Sequence, residues 1–242
     1  MGGHGGVSTY LEVLQSSFHD NGQDCSGWAL GPGHCHGIYL NGVANTLIED
    51  SKFYKNEGFG IHLYSEPTMN DNMVVRRNLI YDNGFGGAAG VKPDTYGMIL
   101  GSGTNILTYN NILWNNSGGG ILINYGGTNI NVSNNTIYSN GQGGPAGACI
   151  LVGGAGVSGT IVRNNICYQN PAGIIDSSSP AAVVSNNLMT DPRFVDSTSG
   201  NFRLQSGSSA INAGVTMTMI MDDYSGASRP QGTAYDIGAY EY

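Results

Sequence analysis

Apolar and polar residues alternate along this chain in short bursts, and the bursts repeat. The segments VLQSSFHDN (13–21), IEDSKFYKN (48–56), VRRNLIYDN (75–83), TYNNILWNN (108–116), VSNNTIYSN (132–140), VRNNICYQN (162–170) and VSNNLMTDP (184–192) share one pattern. A second strand-like unit follows all but the last: HGIYL (36–40), FGIHL (59–63), YGMIL (96–100), GGILI (119–123), ACILV (148–152) and AGIID (172–176). The column Ser51, Asn78, Asn111, Asn135, Asn165, Asn187 recurs at spacings of 27, 33, 24, 30 and 22 residues. A basic repeat lengthened by insertions predicts stacked coils, each too thin to bury its apolar side alone.

Period-two patterning sorts the side chains. Ile48, Val75, Thr108, Val132, Val162 and Val184 form one inward column, and Phe53, Ile80, Leu113, Ile137, Cys167 and Met189 another. In the second unit, Ile38, Ile61, Met98, Ile121, Ile150 and Ile174 form a third. The Asn column fits an internal amide ladder at a bend. Glycines are expected to supply the positive φ angles of the turns. The expected fold is therefore all-β: a single-domain parallel β-helix of about seven coils over residues 1–190. Residues 191–242 form a C-terminal capping segment that closes the open end against edge pairing.

Composition narrows the function. Charged residues are 11% of the 242, too few for the wet faces of a helical bundle. A net charge of −8 gives no positive field to collect phosphates, so nucleic acid is not an expected partner. No stretch approaches the roughly 18 apolar residues of a membrane helix. Residues 1–6 lack the basic start and apolar run of an export signal, and we expect that a signal has been removed. The N-terminal end shows no cap, so self-association there is expected, and the apolar outward column Leu79, Ile112, Ile166 and Leu188 is expected to be covered by the C-terminal segment or by another subunit.

The repeated xNNxIYxN and GIxL units, over about residues 13–190, resemble right-handed parallel β-helix proteins, a group that includes many polysaccharide lyases and carbohydrate-sensing or surface proteins. DPRF (191–194), NFRLQSGSSAINAG (201–214), SGASRP (225–230) and YDIGAYEY (235–242) resemble the C-terminal segment common to secreted bacterial β-helix proteins. The resemblance implies a secreted or extracytoplasmic protein. It also implies calcium as a possible cofactor, because lyases of this fold often use it. Asp71, Asp94 and Glu66 offer some oxygens, but no recognisable acidic loop is present, and no metal site is expected.

Loop lengths suggest where a site lies. The connection after each first strand is long in the first coil (22–35), minimal in the second (57–58), long in the third (84–95) and minimal in the fourth (117–118). Two long loops flanking a short one predict a notch floored by FGIHLY. Ile61 and Leu63 point inward there, so His62 points out, with Tyr39 beside it one coil earlier. His36, Tyr64 and Lys92 complete the catalytic candidates; Arg76, Arg77, Glu66, Asp94 and Tyr96 are the substrate-binding candidates. These residue types suit β-elimination on an acidic polysaccharide. A cation quietens the sugar carboxylate, a base such as His62 or His36 removes the C5 proton, and Tyr39 or Tyr64 returns one to the departing oxygen.

Competing readings exist for most of these residues. An outward His beside Tyr is as readily a hydrogen-bonded surface pair, and Arg76 and Arg77 align with Glu49 and Asp50 for cross-coil ion pairing. The outward aromatics His19, Tyr54, Tyr81, Trp114, Tyr138 and Tyr168 could hold a glycan, though stacking between coils is the simpler role. Cys25 and Cys35 bracket the first long loop and could form a disulfide; Cys167 reads as a core thiol, and the role of Cys149 stays open. Asp222, Asp223 and Arg229 read as structural pairing in the cap. Paired carboxylates from Glu66, Asp94 and Asp71 would instead make a glycoside hydrolase. A non-catalytic glycan-binding or surface protein, or a spacer, are the other classes.

Overall fold

The computed structural model describes residues 8–22, 34–64, 69–85, 94–142 and 147–242. Three parallel sheets form the walls of a coil that the chain traverses repeatedly. The first sheet contains Ser8–Leu14, Val43–Glu49, Asn70–Arg76, Gly103–Tyr109, Thr128–Ser133, Ile161–Arg163 and Val183–Ser185. The second runs from Ser17–His19 through Lys52–Tyr54, Leu79–Tyr81, Ile112–Trp114 and Thr136–Tyr138 to Ile166–Tyr168. The third runs from Ile38–Leu40 through Ile61–Leu63, Tyr96–Gly101, Gly119–Asn124 and Ala148–Val152 to Ala172–Asp176. Every neighbouring pair in these sheets is parallel, and the inward columns align as the patterning requires: Ile48 with Val75, Val75 with Thr108, Thr108 with Val132.

Glycine supplies positive φ at several turns as expected, among them Gly22, Gly42, Gly84, Gly126 and Gly141, but the corners that flank the second sheet are made by side-chain-bearing residues. Between the first and second sheets, Asp50, Arg77, Asn110, Asn134, Asn164 and Asn186 all have φ near +50°. Between the second sheet and the loops, Lys55, Asp82, Asn115, Ser139 and Gln169 do the same. The left-handed conformation costs an L-residue on the order of 1 kcal/mol, least for Asn, whose short amide bonds locally. Each corner recovers that cost through the residue that follows it.

That residue enters a ladder. Asn78 donates from its backbone and side-chain amides to Asn111 Oδ1 at 3.0 Å, Asn111 likewise to Asn135, and Asn135 to Asn165. Asn111 Nδ2 also reaches the Val75 carbonyl of the preceding coil at 2.9 Å. A second ladder, which the patterning did not single out, joins Asn21, Asn56, Asn83, Asn116, Asn140 and Asn170 at the other corner. It explains the glycines of the third sheet: a Cβ at Gly97 would lie 2.7 Å from Asn116 Nδ2, and one at Gly60 3.0 Å from Asn83 Nδ2.

Cys149 interrupts that glycine column because it forms a disulfide with Cys167, so Cys167 is not the free core thiol expected from its position. The bridge ties the third sheet to the second across the core. Cys35 is also disulfide-bonded. Cys25 lies outside the described residues.

The C-terminal segment runs back along the side of the coils, where it is one of the two covers expected for the apolar outer face, and not across their end. The outward corner residues hold it: Asn164 Nδ2 donates to the Val215 carbonyl at 2.8 Å, Asn134 to Asp236 O at 3.0 Å and Asn110 to Asp222 O at 2.7 Å. The dipeptides at 110–111, 134–135 and 164–165 thus divide their work, the first Asn bending the chain and gripping the segment, the second entering the ladder. Phe202 and Ala239 bury Ile112, while Leu204 and Ile237 bury Ile166, covering the apolar outer face of the second sheet. Fully buried Arg229 binds Glu241 at 2.5 Å and the Gly238 carbonyl at 2.7 Å, which bears out its structural reading. At the end of the coils, Val184 and Met189 from the inward columns stay 41% and 49% exposed, so the segment does not cap them.

Candidate functional site

The outer face of the third sheet carries Tyr39, His62 and Ile99 in adjoining register, followed by Leu122, Leu151 and Ile175. Ile61 and Leu63 are fully buried on the inner side, which turns His62 outward as the alternation predicts. The minimal connection at 57–58 sets Phe59 directly beside the preceding coil, where the Gly37 amide donates to its carbonyl at 2.9 Å. That placement lets the Phe59 amide donate to His36 Nδ1 at 3.0 Å. His36 Nε2 in turn lies 2.8 Å from His62 Nδ1.

Aromatic rings enclose the pair. Tyr39 meets the His62 ring edge-on at 4.8 Å between centroids, Phe59 lies at 4.8 Å and Tyr64 at 5.9 Å. Burial, reinforced by repulsion from His34, lowers the His62 pKa to about 4, so the ring is neutral at ordinary pH. Tyr64 continues the cluster to Tyr125, edge-on at 5.0 Å. Tyr125 is 56% exposed with φ of 51°, an unusual backbone for a bulky residue. Neither alternation nor repeat spacing marks it; its one sequence signal is an aromatic residue set directly before the double glycine of NYGG.

The other candidates are dispersed. Tyr96 is buried, with its ring against the space above Gly119, and the nearby Asp94 is exposed at the rim of the third-coil loop. Arg76 and Arg77 belong to the corner of the first and second sheets, away from the third sheet. Arg76 pairs with Glu49 at 2.9 Å, and Arg77 pairs with Glu49, with Asp50 at 2.9 Å and with Asp222 at 2.6 Å. Arg77 therefore clamps the C-terminal segment onto the coils, a contact between residues 145 positions apart. Asp71 lies on the first sheet and accepts from Asn105 at 2.9 Å. Glu66 and Lys92, with most of both long loops, lie outside the described residues. Among the described residues, no group of three or more His, Cys, Asp or Glu side chains converges as metal ligands would. No helix among them is long and apolar enough to cross a membrane.

Three-walled parallel coils with internal Asn ladders define the class: a parallel β-helix. The family model for the right-handed β-helix region matches residues 5–189, and the chain belongs to that family. Among solved structures, the chain is similar to pectate lyase Pel9A, with a TM-score of 0.62 and 18% identity over 98% of this chain. The match covers 61% of the lyase, so this chain spans well under two thirds of that protein. Weaker likenesses join it to the A-modules of the Azotobacter vinelandii mannuronan C-5 epimerases AlgE6 (TM-score 0.41) and AlgE4 (0.36), each at 14% identity. These cover 76% of this chain and 59% and 56% of the modules. No curated protein matches the sequence.

Proposed function

We propose that the protein is a carbohydrate-active enzyme, a polysaccharide lyase that cleaves a uronic-acid-containing glycan by β-elimination on the outer face of the third sheet. One observation carries this reading: His36 and Tyr39 of the first coil are gathered against His62 and Tyr64 of the second by a connection of only two residues. The likeness to a pectate lyase supports the fold and the class of substrate, and the chemistry is argued from the cluster.

Elimination needs the carboxylate beside C5 quietened, the C5 proton removed and the glycosidic oxygen reprotonated. Tyr39 and Tyr64 supply hydroxyls beside His62, and Lys92 and Asp94 belong to the adjoining loop. Disulfide bonding at Cys35 and between Cys149 and Cys167 supports an oxidising, extracytoplasmic home. The test is incubation with polygalacturonate, alginate, hyaluronan and chondroitin, followed by the ultraviolet absorbance of the new C4=C5 bond. The expected result is absorbance from one of them, abolished in His62→Ala. New reducing ends without that absorbance would replace elimination by hydrolysis.

A second reading has its own observation. His19, Tyr54 and Tyr81 stack with centroid separations of 4.7 and 4.9 Å, and Trp114 follows at 5.4 Å, all partly exposed. Such a ladder suits non-catalytic glycan binding, and retention on a glycan gel without turnover would favour it.

A further inference from the structure

We propose that His36 is a positioning residue that fixes His62 as a neutral hydrogen-bond donor, its Nε2–H offered to the carboxylate of a bound uronic sugar. The role toward the glycan rests on the lyase reading; the protonation pattern stands on the geometry alone. The chain of donors begins at the backbone. The Phe59 amide can only donate, so His36 Nδ1 must accept, and the His36 proton is confined to Nε2. That proton points at His62 Nδ1 across 2.8 Å, which must then accept in turn. The His62 proton is left on Nε2, and among the described residues nothing accepts from it. His62 is partly exposed on the outer face of the sheet, so that donor is open to a ligand.

The same chain argues against His62 as the base. A proton arriving at Nδ1 would set two donors face to face, because the backbone holds the His36 proton where it is. A proton arriving at Nε2 would find that nitrogen already protonated. In the elimination the C5 proton therefore passes to a base other than His62, and Tyr39 is the described residue beside it that can take that part. The C–H electron pair becomes the C4=C5 bond. The C4–O bond breaks, and the glycosidic oxygen leaves with its electron pair and takes a proton from Tyr64 or water. His62 exchanges no proton; it holds the carboxylate while negative charge develops there. Among the described residues, the titratable groups around it are His34, His36, Tyr39 and Tyr64.

Nitrogen-15 correlation spectra of the full chain test this directly. Between pH 5 and 8, His62 is expected to show a proton on Nε2 and none on Nδ1, and oligogalacturonate is expected to shift the Nε2 resonance. His36→Phe keeps the ring and removes the donor, so both His62 tautomers should appear and kcat/KM should fall about tenfold. His36→Gln, which retains a side-chain N–H, should restore most of both. A protonated Nδ1 on wild-type His62 would overturn the proposal, as would equal losses in the Phe and Gln variants. A correct nitrogen pattern with neither turnover nor an oligogalacturonate-induced shift would leave the relay standing and sink the carboxylate-binding role, together with the lyase reading on that substrate.

Discussion

Replacing Asn111 by alanine tests whether the ladders, and not the apolar columns alone, hold the coils in register. Asn111 is fully buried. Its Oδ1 accepts from the backbone and side chain of Asn78 at 3.0 Å, and its Nδ2 donates to Val75 O at 2.9 Å and Asn135 Oδ1 at 3.0 Å. Asn78 Nδ2 keeps a second acceptor in Ile48 O, and Asn135 Oδ1 keeps the Asn111 backbone amide. The Asn78 backbone amide is left without its side-chain acceptor, and an orphaned buried donor costs about 1–3 kcal/mol. Adding the void left by the amide brings the expected loss to about 3–5 kcal/mol. Asn187 occupies the last rung, half-buried, and accepts from Asn165 with no further rung beyond it. Asn187→Ala also takes the acceptor from the Asn165 amide, but at this half-buried end water can replace the lost partners, so the expected cost is only about 1 kcal/mol. Urea unfolding followed by circular dichroism reads both, provided the slope is unchanged. Equal losses at the two positions would refute the ladder argument, because they would make the cost independent of neighbouring rungs.

Arg77→Met should loosen the C-terminal segment near Asp222 and lower stability by roughly 2 kcal/mol, since it takes the cation from Asp50 and Asp222 and leaves Glu49 with Arg76 alone; faster proteolysis around residues 217–224 is the readout, and unchanged cleavage would contradict it. Cys149→Gly restores the residue type of its column but opens an 18-residue crosslink, so unfolding free energy should drop by about 3 kcal/mol; free thiols found in the denatured, unreduced wild type would refute the bridge. His62, depressed by burial from 6.5 to about 4, binds a proton more readily when unfolded. Its contribution is complete above pH 6.5 and is lost as pH falls toward 4, by about 2–3 kcal/mol in all. His62→Asn should flatten that part of the stability-pH curve, and an unaltered curve would remove the claim.

Much of the architecture was written in local periodicity. The columns from Ile48 to Val184 and from Ile38 to Ile174 follow from alternation plus a repeat length, and the structure places them in register. The corners were less legible, because glycine and asparagine both tolerate positive φ and only the structure shows which of them bends this chain. The second ladder was hidden by its place at the end of each segment, beside loops of changing length. The Cys149–Cys167 bridge and the Arg77–Asp222 clamp depend on which coils neighbour each other and where the tail runs, neither of which any local pattern encodes. The outward aim of His62 was legible; its bond to His36 was not, since it depends on a backbone amide at Phe59.

These differences bear on where chemistry can sit. The later coils of the second sheet's outer face, from Ile112 to Ile166, and their corner with the first sheet are occupied by Phe202, Ala239, Leu204 and Ile237 and gripped by Asn110, Asn134 and Asn164, so those surfaces are committed to holding the segment. The charges of Arg76 and Arg77 are spent there too, on Glu49, Asp50 and Asp222. On the third sheet the outward column changes from Tyr39 and His62 to Ile99, Leu122 and Leu151, so its polar, proton-handling groups are confined to the first two coils. A glycan lying along the coil axis would meet these groups at one end of the face and an apolar strip along the rest. That polarity predicts an ordered result: Leu122→Asp, which sets a like charge against an acidic chain, should weaken binding of long chains while leaving cleavage of the shortest competent oligomer unchanged. Equal effects on long and short substrates would show that the chain does not follow the strip.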